Sequence, residues 1–363
     1  MFTGSYDPDD VVFLLKPVRV EPTPLAEKER LIQSGQRHYS EMIGVESLPS
    51  PRYLEVFHES FNLVRERFAR HLLLLARLIA EARTGDVTLV SLARAGTPVG
   101  AIVGRILRRG FARPARHYSV SIIRDRGIDE NALNFILKRH PANSVVFVDG
   151  WTGKGVIARE LEQAIASFNE THHEALDPGL YAVADLSGTA ACAATSDDYL
   201  IPSAVLGATI SGLVSRSILN RDVVGPGDFH ACVFHEEHRA ADLSCWFVDE
   251  LSAEALRLHN AKAVAVEPGV MPDEKLRLRE RSSSFLQAVM TRFKIGNVHF
   301  VKPGVGEATR VLLRRVPDML LLRDPGLPDV RHLRLLSQEK NVPVRVDPSL
   351  PYLATALIKE LEG

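Results

Sequence analysis

Cysteine and long apolar runs are scarce in this sequence of 363 residues. The three cysteines, Cys192, Cys232 and Cys245, form no CxxC pair and are too few for a disulfide scaffold, which fits a reducing compartment. The most apolar helical stretch, residues 72–79, is far too short to span a bilayer. The first ten residues lack the basic and apolar regions of a signal peptide. We therefore expect a cytoplasmic protein without a membrane partner.

Net charge is also nearly absent, at -1, but the charges are unevenly distributed. Residues 272–363 carry 16 lysines and arginines against 11 acidic residues, whereas the rest of the chain carries 28 against 34. A basic C-terminal part on an acidic body is typical of a protein with a polyanionic partner. An arginine-rich solvated surface explains the same balance, and the charges alone leave both explanations open.

The length favours two domains, and the composition of 45% hydrophobic and 25% charged residues is that of a globular protein. Between residues 54 and 184, runs with helical and strand periodicity alternate, which predicts parallel βαβ units under one sheet. A turn-rich connector at 266–273 precedes a second unit with predicted strands at 298–301, 319–322 and 342–346. Its predicted helices are 284–293, 307–315, 330–339 and 352–361. The fold class is therefore α/β, with a parallel-sheet domain over 1–262 and an α/β/α sandwich over 282–363.

The segment 145–155 carries the strongest signal for a ligand. An apolar strand ends at Asp149, and three glycines surround Thr152 and Lys154 before a predicted helix. At such strand ends, glycines let backbone N–H groups approach a phosphate and the next helix presents its positive end. The alternative is a plain strand–turn–helix connection. The predicted phosphate and ribose ligands are Thr152, Gly153, Lys154, Gly155 and Asp149, and Asp149 is also the predicted Mg²⁺ ligand.

A second loop, residues 89–100, again places an arginine, a glycine and a threonine between a strand and a helix. Two such loops at one sheet edge would supply opposed donors for a diphosphate and a phosphate. Arg94, Gly96 and Thr97 are the predicted diphosphate-binding residues.

These two loops resemble the signature segments of type I phosphoribosyltransferases, and residues 119–129 occupy the place of their mobile hood. More closely, residues 5–250 resemble the phosphoribosyltransferase-like proteins of bacterial tellurite-resistance clusters, also labelled cysteine protease StiP. The resemblance implies a ribose-phosphate or phosphoribosyl diphosphate ligand, Mg²⁺, and closure of Arg124 and Arg126 over the site. One departure is that Gly150 stands where the usual signature has a second acid. The sequence leaves a homo-oligomeric state open.

Several other side chains have both a chemical and a structural interpretation. Cys192 is the alternative nucleophile of a protease, but it lies between alanines, as a small buried side chain often does. His235 and His238 are three apart instead of the four of a zinc helix, which argues against a metal site. Ser211, Ser215 and Arg216 fall on a predicted helix at near one-turn spacing, where they either face one site together or cap or decorate a packed helix.

Residues 301–324 provide a second specific signal, a strand, a Gly-rich turn and a basic helix. This run resembles the Pelota-type RNA-binding domain, over residues 285–363. The resemblance implies that the turn and helix contact RNA, with Glu on base edges and basic residues on phosphates. Intrachain packing of a basic domain is the alternative. The predicted RNA-binding residues are Gly304, Glu307, Thr309, Arg310, Arg314 and Arg315.

Taken together, these patterns predict a phosphoribosyltransferase that acts at ribose C1, with an RNA-binding C-terminal module. The alternatives are a ribose-phosphate-sensing regulator that binds RNA without turnover, and a cysteine protease.

Overall fold

A mostly parallel sheet forms the centre of the N-terminal part of the protein, in a computed structural model that describes residues 1–262 and 268–359. The strand order is β1-β4-β3-β6-β7-β8, all neighbours are parallel, and β5 adds an antiparallel pair to β4. The strands are β1 (Val12–Leu14), β3 (Val87–Ala93), β4 (Ala115–Ile123), β5 (Gly127–Ile128), β6 (Val145–Thr152), β7 (Leu180–Asp185) and β8 (Cys192–Thr195). A separate short parallel pair joins β2 (Lys16–Pro17) to β9 (Ala231–Cys232).

Helices cover both faces of this sheet. The helices of the N-terminal part are α1 (Leu25–Gln33), α2 (Pro51–Ala82), α3 (Thr97–Arg109), α4 (Glu130–Leu137), α5 (Val156–His172) and α6 (Ser244–Asn260). One face packs against α2, α3 and α6, and the other against α4 and α5. The long helix α2 begins where Ser50 accepts a hydrogen bond from the N–H of Tyr53 and where Pro51 supplies a preset first turn. Its apolar stripe then stays buried along its length.

The C-terminal part is a second, smaller layered unit. Its strands are β10 (Val301–Pro303), β11 (Pro317–Leu322), β12 (Val344–Val346) and β13 (Ala354–Ile358), in the order β10-β13-β11-β12. Its helices are α7 (Pro272–Phe293), α8 (Val305–Arg314) and α9 (Arg331–Glu339). Helix α7 packs with one face of this sheet, and α8 and α9 pack on the side that adjoins the N-terminal part.

The two parts share one hydrophobic cluster. It joins apolar side chains of α2 and α3 to those of α8, α9 and the C-terminal sheet. Loss of water from this shared surface stabilises the contact between the parts. None of the helices in the described residues combines the length and the apolar character that a bilayer crossing needs.

Most predicted elements lie within a few residues of the observed ones, and three differ. The predicted helix 352–361 is wrong, because residues 354–358 form the strand that pairs with both β10 and β11; residues 360–363 lie outside the described residues. The predicted helix around residues 211–216 is also wrong, since short 3₁₀ turns and irregular chain occupy that region. Part of the predicted connector, residues 266–267, lies outside the described residues, and α7 begins at Pro272 instead of residue 284.

Candidate functional site

A cavity of about 810 Å³ lies where the carboxyl ends of β3 and β6 face helix α8. Its wall has contributions from the irregular segment 39–50, the turn after β6, residues 205–209 and the C-terminal unit. The predicted ribose-phosphate residues and the predicted RNA-binding residues therefore meet across one cavity. The sequence had suggested two separate sites.

Cations dominate the wall of this cavity. Ten lysines and arginines line it, against four carboxylates. The cations are Lys28, Arg94, Arg124, Lys154, Arg216, Lys302, Arg310, Arg314, Arg315 and Lys340, and the carboxylates are Glu46, Asp149, Glu307 and Glu339. Since the whole chain carries a net charge of -1, this is a local concentration of positive charge. Such a wall attracts anions.

The turn after β6 packs tightly between the two parts. Gly155, the residue before α5, has a φ of +74°, and a Cβ there would lie 2.4 Å from the methyl carbon of Thr189. At Gly153 a Cβ would lie 2.9 Å from Cγ of Glu307. Thr152 shares a 2.6 Å hydrogen bond with Ser187, so its hydroxyl is held within the N-terminal part. Gly153 therefore permits the close approach of the two parts, and Gly155 permits the turn and its contact with Thr189 within the N-terminal part.

Asp149 ends the buried strand and lines the cavity. One of its carboxylate oxygens accepts the N–H of Gly150 at 2.7 Å. Burial raises the pKa of Asp149 to about 6, against the opposing effects of Arg310 and the Gly150 N–H. The carboxylate therefore becomes protonated at a higher pH than an exposed aspartate.

Lys154 reaches across to the C-terminal unit. Its ammonium donates to the carbonyl oxygens of Val298 at 2.5 Å and Val301 at 2.9 Å. Burial, followed by the charge of Lys302, lowers the pKa of Lys154 to about 7. An anion beside this lysine would favour its charged form.

Arg94, in the loop after β3, forms a forked ion pair with Glu46. Its Nη2 lies 2.7 and 3.0 Å from the two carboxylate oxygens, and its Nη1 donates to the carbonyl of Val214 at 2.7 Å. The N–H of Ala208 also donates to Glu46, at 2.8 Å. Burial alone would raise the pKa of Glu46, but the charges of Arg94 and Arg314, with the hydrogen bonds from Arg94 and Ala208, outweigh it and hold the pKa at about 2. The Glu46 carboxylate thus occupies a group of donors suited to an anion.

The other two predicted residues of this loop are held by the protein itself. A Cβ at Gly96 would lie 2.8 Å from the carbonyl oxygen of Val148, so the backbone needs glycine there. Thr97 is buried and shares a 2.8 Å hydrogen bond with Ser119. Neither belongs to the described lining of the cavity.

Of the two predicted hood arginines, only Arg124 belongs to the described lining of the cavity. Its backbone N–H donates to the Tyr39 hydroxyl at 2.8 Å, and its guanidinium lies 5.2 Å from the centre of that ring. Arg126 pairs with Glu41 at 3.3 Å, on a more exposed part of the surface.

Helix α8 supplies cations from the opposite side. Arg310 lies 4.3 Å above the ring of Trp151 and 3.1 Å from a carboxylate oxygen of Glu307. Arg315 makes a two-pronged ion pair with Glu29 of α1. Glu307 also approaches Lys302, at 3.8 Å. Three of the predicted RNA-contacting side chains therefore already have partners within the chain.

Arg314 differs from its neighbours because, within the described part of the chain, it makes no hydrogen bond or ion pair. Burial, followed by the charge of Arg94, lowers its pKa to about 9. The buried Nε of Arg94 and the indole N–H of Trp151 also lack partners among the described residues. Those two nitrogens are closed to solvent, so the Arg314 guanidinium is the member of this group that is free to bind a ligand in the cavity.

Gly304 and Thr309 serve packing in this structure. Gly304 has a φ of +90°, and a Cβ there would lie 2.6 Å from the Leu186 side chain. The next N–H, that of Val305, donates to the Asp198 carboxylate at 2.9 Å. Thr309 is fully buried and donates to the Val305 carbonyl. The start of α8 is therefore a contact between the two parts.

Sequence reasoning missed several residues of this site. The missed lining residues with polar or aromatic side chains include Lys28, Tyr39, Glu46, Lys302 and His299. Lys28 lies in α1, Lys302 in β10, and Tyr39 and His299 in short 3₁₀ helices, whereas Glu46 lies in irregular chain; none of these elements carries a ligand-binding motif around the residue. Arg216 lies in irregular chain and not on the predicted helix. Its guanidinium donates to the carbonyls of Tyr39 and Met42.

The three cysteines lie outside this cavity in the described residues, and all are free thiols. Cys232 is fully buried, and burial raises its pKa to about 12. Cys245 donates to the carbonyl of Ser5, and burial and nearby aspartates raise its pKa. Cys192 begins β8 and is half-buried; burial holds its pKa above the ordinary value of a thiol, and the charge of Lys275 opposes this effect only in part. Cys192 is thus the thiol with both exposure and a neighbouring cation.

These features define a two-part α/β protein with a cationic site shared by both parts. Residues 4–252 match the family model described as tellurite-like stress resistance cysteine protease StiP, and residues 280–360 match that of the PELOTA RNA binding domain. The chain therefore belongs to the StiP family. The protein described as "Cysteine protease StiP" in Acinetobacter baylyi (strain ATCC 33305 / BD413 / ADP1) is 39% identical over 371 residues, which cover 99% of this chain and 95% of that protein.

The comparisons confirm the predicted resemblances to the StiP family and to the Pelota-type RNA-binding domain, and they correct the predicted activity. Phosphoribosyl transfer is wrong as the function, because the family and the relative are both described as a cysteine protease. The prediction that the enzyme is a phosphoribosyltransferase rather than a cysteine protease is wrong for the same reason. The predicted link to tellurite-like stress resistance agrees with the family description.

Proposed function

We propose that the cavity binds a compact ligand that carries phosphate groups, and that both parts of the chain hold it. The observation that carries this proposal is the charge of the wall, with ten cations against four carboxylates in one cavity. The proposal concerns binding and contains no transfer of a sugar. Moving a charged ligand out of water costs free energy, and several charge-assisted hydrogen bonds in the cavity would offset that cost.

Donors from three elements support this binding. Arg94 follows β3, Lys154 precedes helix α5, and Arg314 ends helix α8. The positive end of the 17-residue helix α5 adds to the field at the turn. Arg314 has no ion pair in the described structure, so a phosphate would supply the partner that its guanidinium lacks.

The size of the cavity and the C-terminal likeness favour a nucleotide as the ligand. A volume of about 810 Å³ suits a small molecule and is too small for an RNA duplex. The match to the PELOTA RNA binding domain supports RNA as the source, so we propose that the cavity takes the phosphorylated terminal nucleotide of an RNA strand. A free nucleotide offers the same chemistry. We further propose that the two parts have phosphoribosyltransferase-like and Pelota-like folds.

Asp149 is the residue that would hold Mg²⁺ with such a ligand. It offers a carboxylate at the cavity wall, and Mg²⁺ in proteins is commonly held by one or two carboxylates together with ligand phosphates. The ion would offset phosphate charge beside Asp149. Because burial raises the pKa of this group to about 6, we expect its cation binding to weaken below that pH.

Arg314→Gln tests the site with little risk to the fold, since this side chain has no partner to lose among the described residues. We expect its affinity for inorganic diphosphate, and for a 5′-phosphorylated RNA oligomer, to fall about 10- to 100-fold, the value of one charge-assisted hydrogen bond. Isothermal titration calorimetry at fixed salt, with and without Mg²⁺, measures it. Arg334→Gln, on the exposed side of α9, is the matched control and should bind like wild type.

A second comparison, between two RNA oligomers that differ only at the 5′ end, tests whether the site recognises the terminal phosphate. Wild type should bind the 5′-phosphorylated oligomer at least about tenfold tighter than the same oligomer with a 5′-hydroxyl. Equal affinities would limit the cavity to free nucleotides. If neither diphosphate nor RNA binds, or if both arginine variants bind like wild type, the proposed site is wrong.

We also propose peptide hydrolysis, which the description of the family and of its relative favours. Cys192 is the candidate nucleophile, because the other two thiols are buried or surrounded by acids. Lys275 donates to the carbonyl of Ala191 and is the cation that would stabilise the Cys192 thiolate. Within the described hydrogen bonds no histidine contacts this thiol, so the lysine is the proposed partner.

Cys192→Ala should abolish hydrolysis of a fluorogenic peptide library, with a loss of at least about 1,000-fold, because no other group replaces the thiolate. Diphosphate binding should stay unchanged, since Cys192 lies outside the described lining of the cavity. Cys245→Ala is the matched control and should retain hydrolysis. If Cys192→Ala still hydrolyses the peptides, Cys192 is not the nucleophile.

A further inference from the structure

Two cations meet a short stretch of irregular chain, residues 42–44, at the wall of the cavity. Arg216 donates to the carbonyl oxygen of Met42. The ammonium of Lys28 lies over Gly44, where a Cβ would be only 2.8 Å from Nζ. Both cations line the cavity, and so does Gly44. The absence of a side chain at Gly44 therefore leaves the space that the Lys28 ammonium occupies.

Lys28 has no counter-ion in this position. The residue is 7% exposed, and within the described part of the chain its ammonium makes no hydrogen bond or ion pair. The adjacent acid, Glu29, is taken by its two-pronged pair with Arg315. Burial, followed by the charge of Arg216, lowers the pKa of Lys28 to about 8. A buried cation without a partner costs folding free energy, so its presence at a cavity wall indicates that an anion binds there.

Two arginines accompany this lysine. The charge of Arg314 is among those that lower the pKa of Lys28, and its guanidinium also has no partner among the described residues. Arg216 adds a third charge, and both of its described hydrogen bonds use the same nitrogen, Nη2. An anion at Lys28 would therefore meet two cations that lack a partner and a third that strengthens the local field.

This group is distinct from the cations at the turn after β6. Lys154 is held against the C-terminal unit by the carbonyls of Val298 and Val301. The charges that shift the pKa of the two lysines most have no member in common: they are Arg216, Glu29, Arg315 and Arg314 for Lys28, and Lys302, Glu307, Arg124 and Arg159 for Lys154. Two phosphates that share a bridging oxygen stay adjacent, whereas phosphates at opposite ends of a ribose reach two separate groups of cations.

We propose that Lys28 and Arg314 form a second phosphate subsite, and that the cavity binds a nucleotide with phosphates at both the 5′ and the 3′ position of its ribose. This inference rests on the proposed binding of a phosphorylated nucleotide and adds which nucleotide the cavity selects. The phosphorylated end of an RNA strand has this chemistry, with a monoester at 5′ and a diester at 3′. A free nucleoside 3′,5′-bisphosphate has it as well. The cavity volume of about 810 Å³ lies in the range of sites that enclose a small molecule.

The test compares two ligands that differ by one phosphate, adenosine 5′-monophosphate and adenosine 3′,5′-bisphosphate, by calorimetry on the full chain at fixed salt. Wild type should bind the bisphosphate at least about tenfold tighter, the value of one charge-assisted hydrogen bond. In Lys28→Gln this gain should fall below about threefold. A 5′-phosphorylated adenosine dinucleotide distinguishes the two sources of the ligand. Affinity equal to that of the bisphosphate supports an RNA end, and affinity at the level of the monophosphate overturns the RNA source.

A second variant moves the ammonium without removing its charge. Gly44 does not have the positive φ that would exclude a side chain, so Gly44→Ala should fold and displace Nζ of Lys28. Its gain from the 3′-phosphate should fall as it does in Lys28→Gln. Lys138→Gln, an exposed lysine at the end of α4 and outside the described lining, is the matched control and should keep the full gain.

Melting curves separate binding from a structural role. Without ligand, Lys28→Gln should melt at or above the wild-type temperature, because the substitution removes a buried charge that lacks a partner. A lower melting temperature with an unchanged gain would make Lys28 a structural residue and overturn the subsite. Diphosphate binding without any gain from the 3′-phosphate in wild type overturns this inference alone. Absence of all phosphate binding overturns the proposed function and the subsite together.

Discussion

Asp198→Ala should lower the free energy of unfolding by about 3 kcal/mol and weaken diphosphate binding in the same protein. The two carboxylate oxygens of Asp198 accept the N–H groups of Val305 at 2.9 Å and Leu353 at 2.7 Å. Alanine would leave both donors without a partner, at about 1–3 kcal/mol each. Because Val305 begins helix α8, the wall that carries Arg310 and Arg314 would loosen with it.

The neighbouring residue offers a matched control. Asp197 is exposed and pairs with Arg67 at the surface, so Asp197→Ala should cost less than about 1 kcal/mol. Urea denaturation of both variants, combined with calorimetry, separates the two cases. If Asp198→Ala is as stable as Asp197→Ala, Asp198 does not join the two parts in solution.

Glu46→Gln should change stability and affinity in opposite directions. The variant should be roughly 3–4 kcal/mol less stable, because the pKa of Glu46 falls from 4.5 to about 2 on folding and each unit corresponds to about 1.4 kcal/mol. Its affinity for diphosphate should rise about tenfold, because the donors of Arg94 would no longer be taken by the carboxylate.

The stability difference also has a defined pH dependence. A carboxylate with a lowered folded-state pKa stabilises fully above its unfolded pKa, here 4.5, and that contribution is lost as the pH falls toward about 2. Wild type and Glu46→Gln should therefore converge in acid. Glu41→Gln, which breaks a more exposed pair with Arg126, is the control and should change stability by less than about 1 kcal/mol. A Glu46→Gln protein with unchanged stability and weaker anion binding would contradict this account.

The N-terminal sheet was largely predictable, because the local sequence pattern of each strand and helix indicates its type. The strand and helix of residues 145–172 show continuous apolar or amphipathic patterns, and glycines separate them. The last predicted helix failed because residues 354–358 have no strong preference of their own. Their strand state depends on pairing with β10 and β11, which lie far away in sequence.

Each of the two walls of the candidate site could be predicted from the sequence, but their position opposite each other could not. Asp149 and Lys154 have a local motif, and so does the Arg310 helix, but nothing in either motif shows that they face each other. That arrangement depends on contacts such as Gly153 with Glu307, which only the folded chain brings together. Glu46 lies in an irregular segment without periodicity, so its pairing with Arg94 had no signal in the sequence.

The position of β13 has a consequence for the making of this protein. This strand holds residues 354–358, near the end of the chain, yet it lies inside the second sheet between β10 and β11. During synthesis the N-terminal part can fold first, but the C-terminal sheet lacks its inner strand until residues 354–358 have left the ribosome. A chain that stops before residue 354 would therefore carry Arg94 and Lys154 without a stable facing wall of α8. The closed cationic cavity can form only after translation has passed this strand.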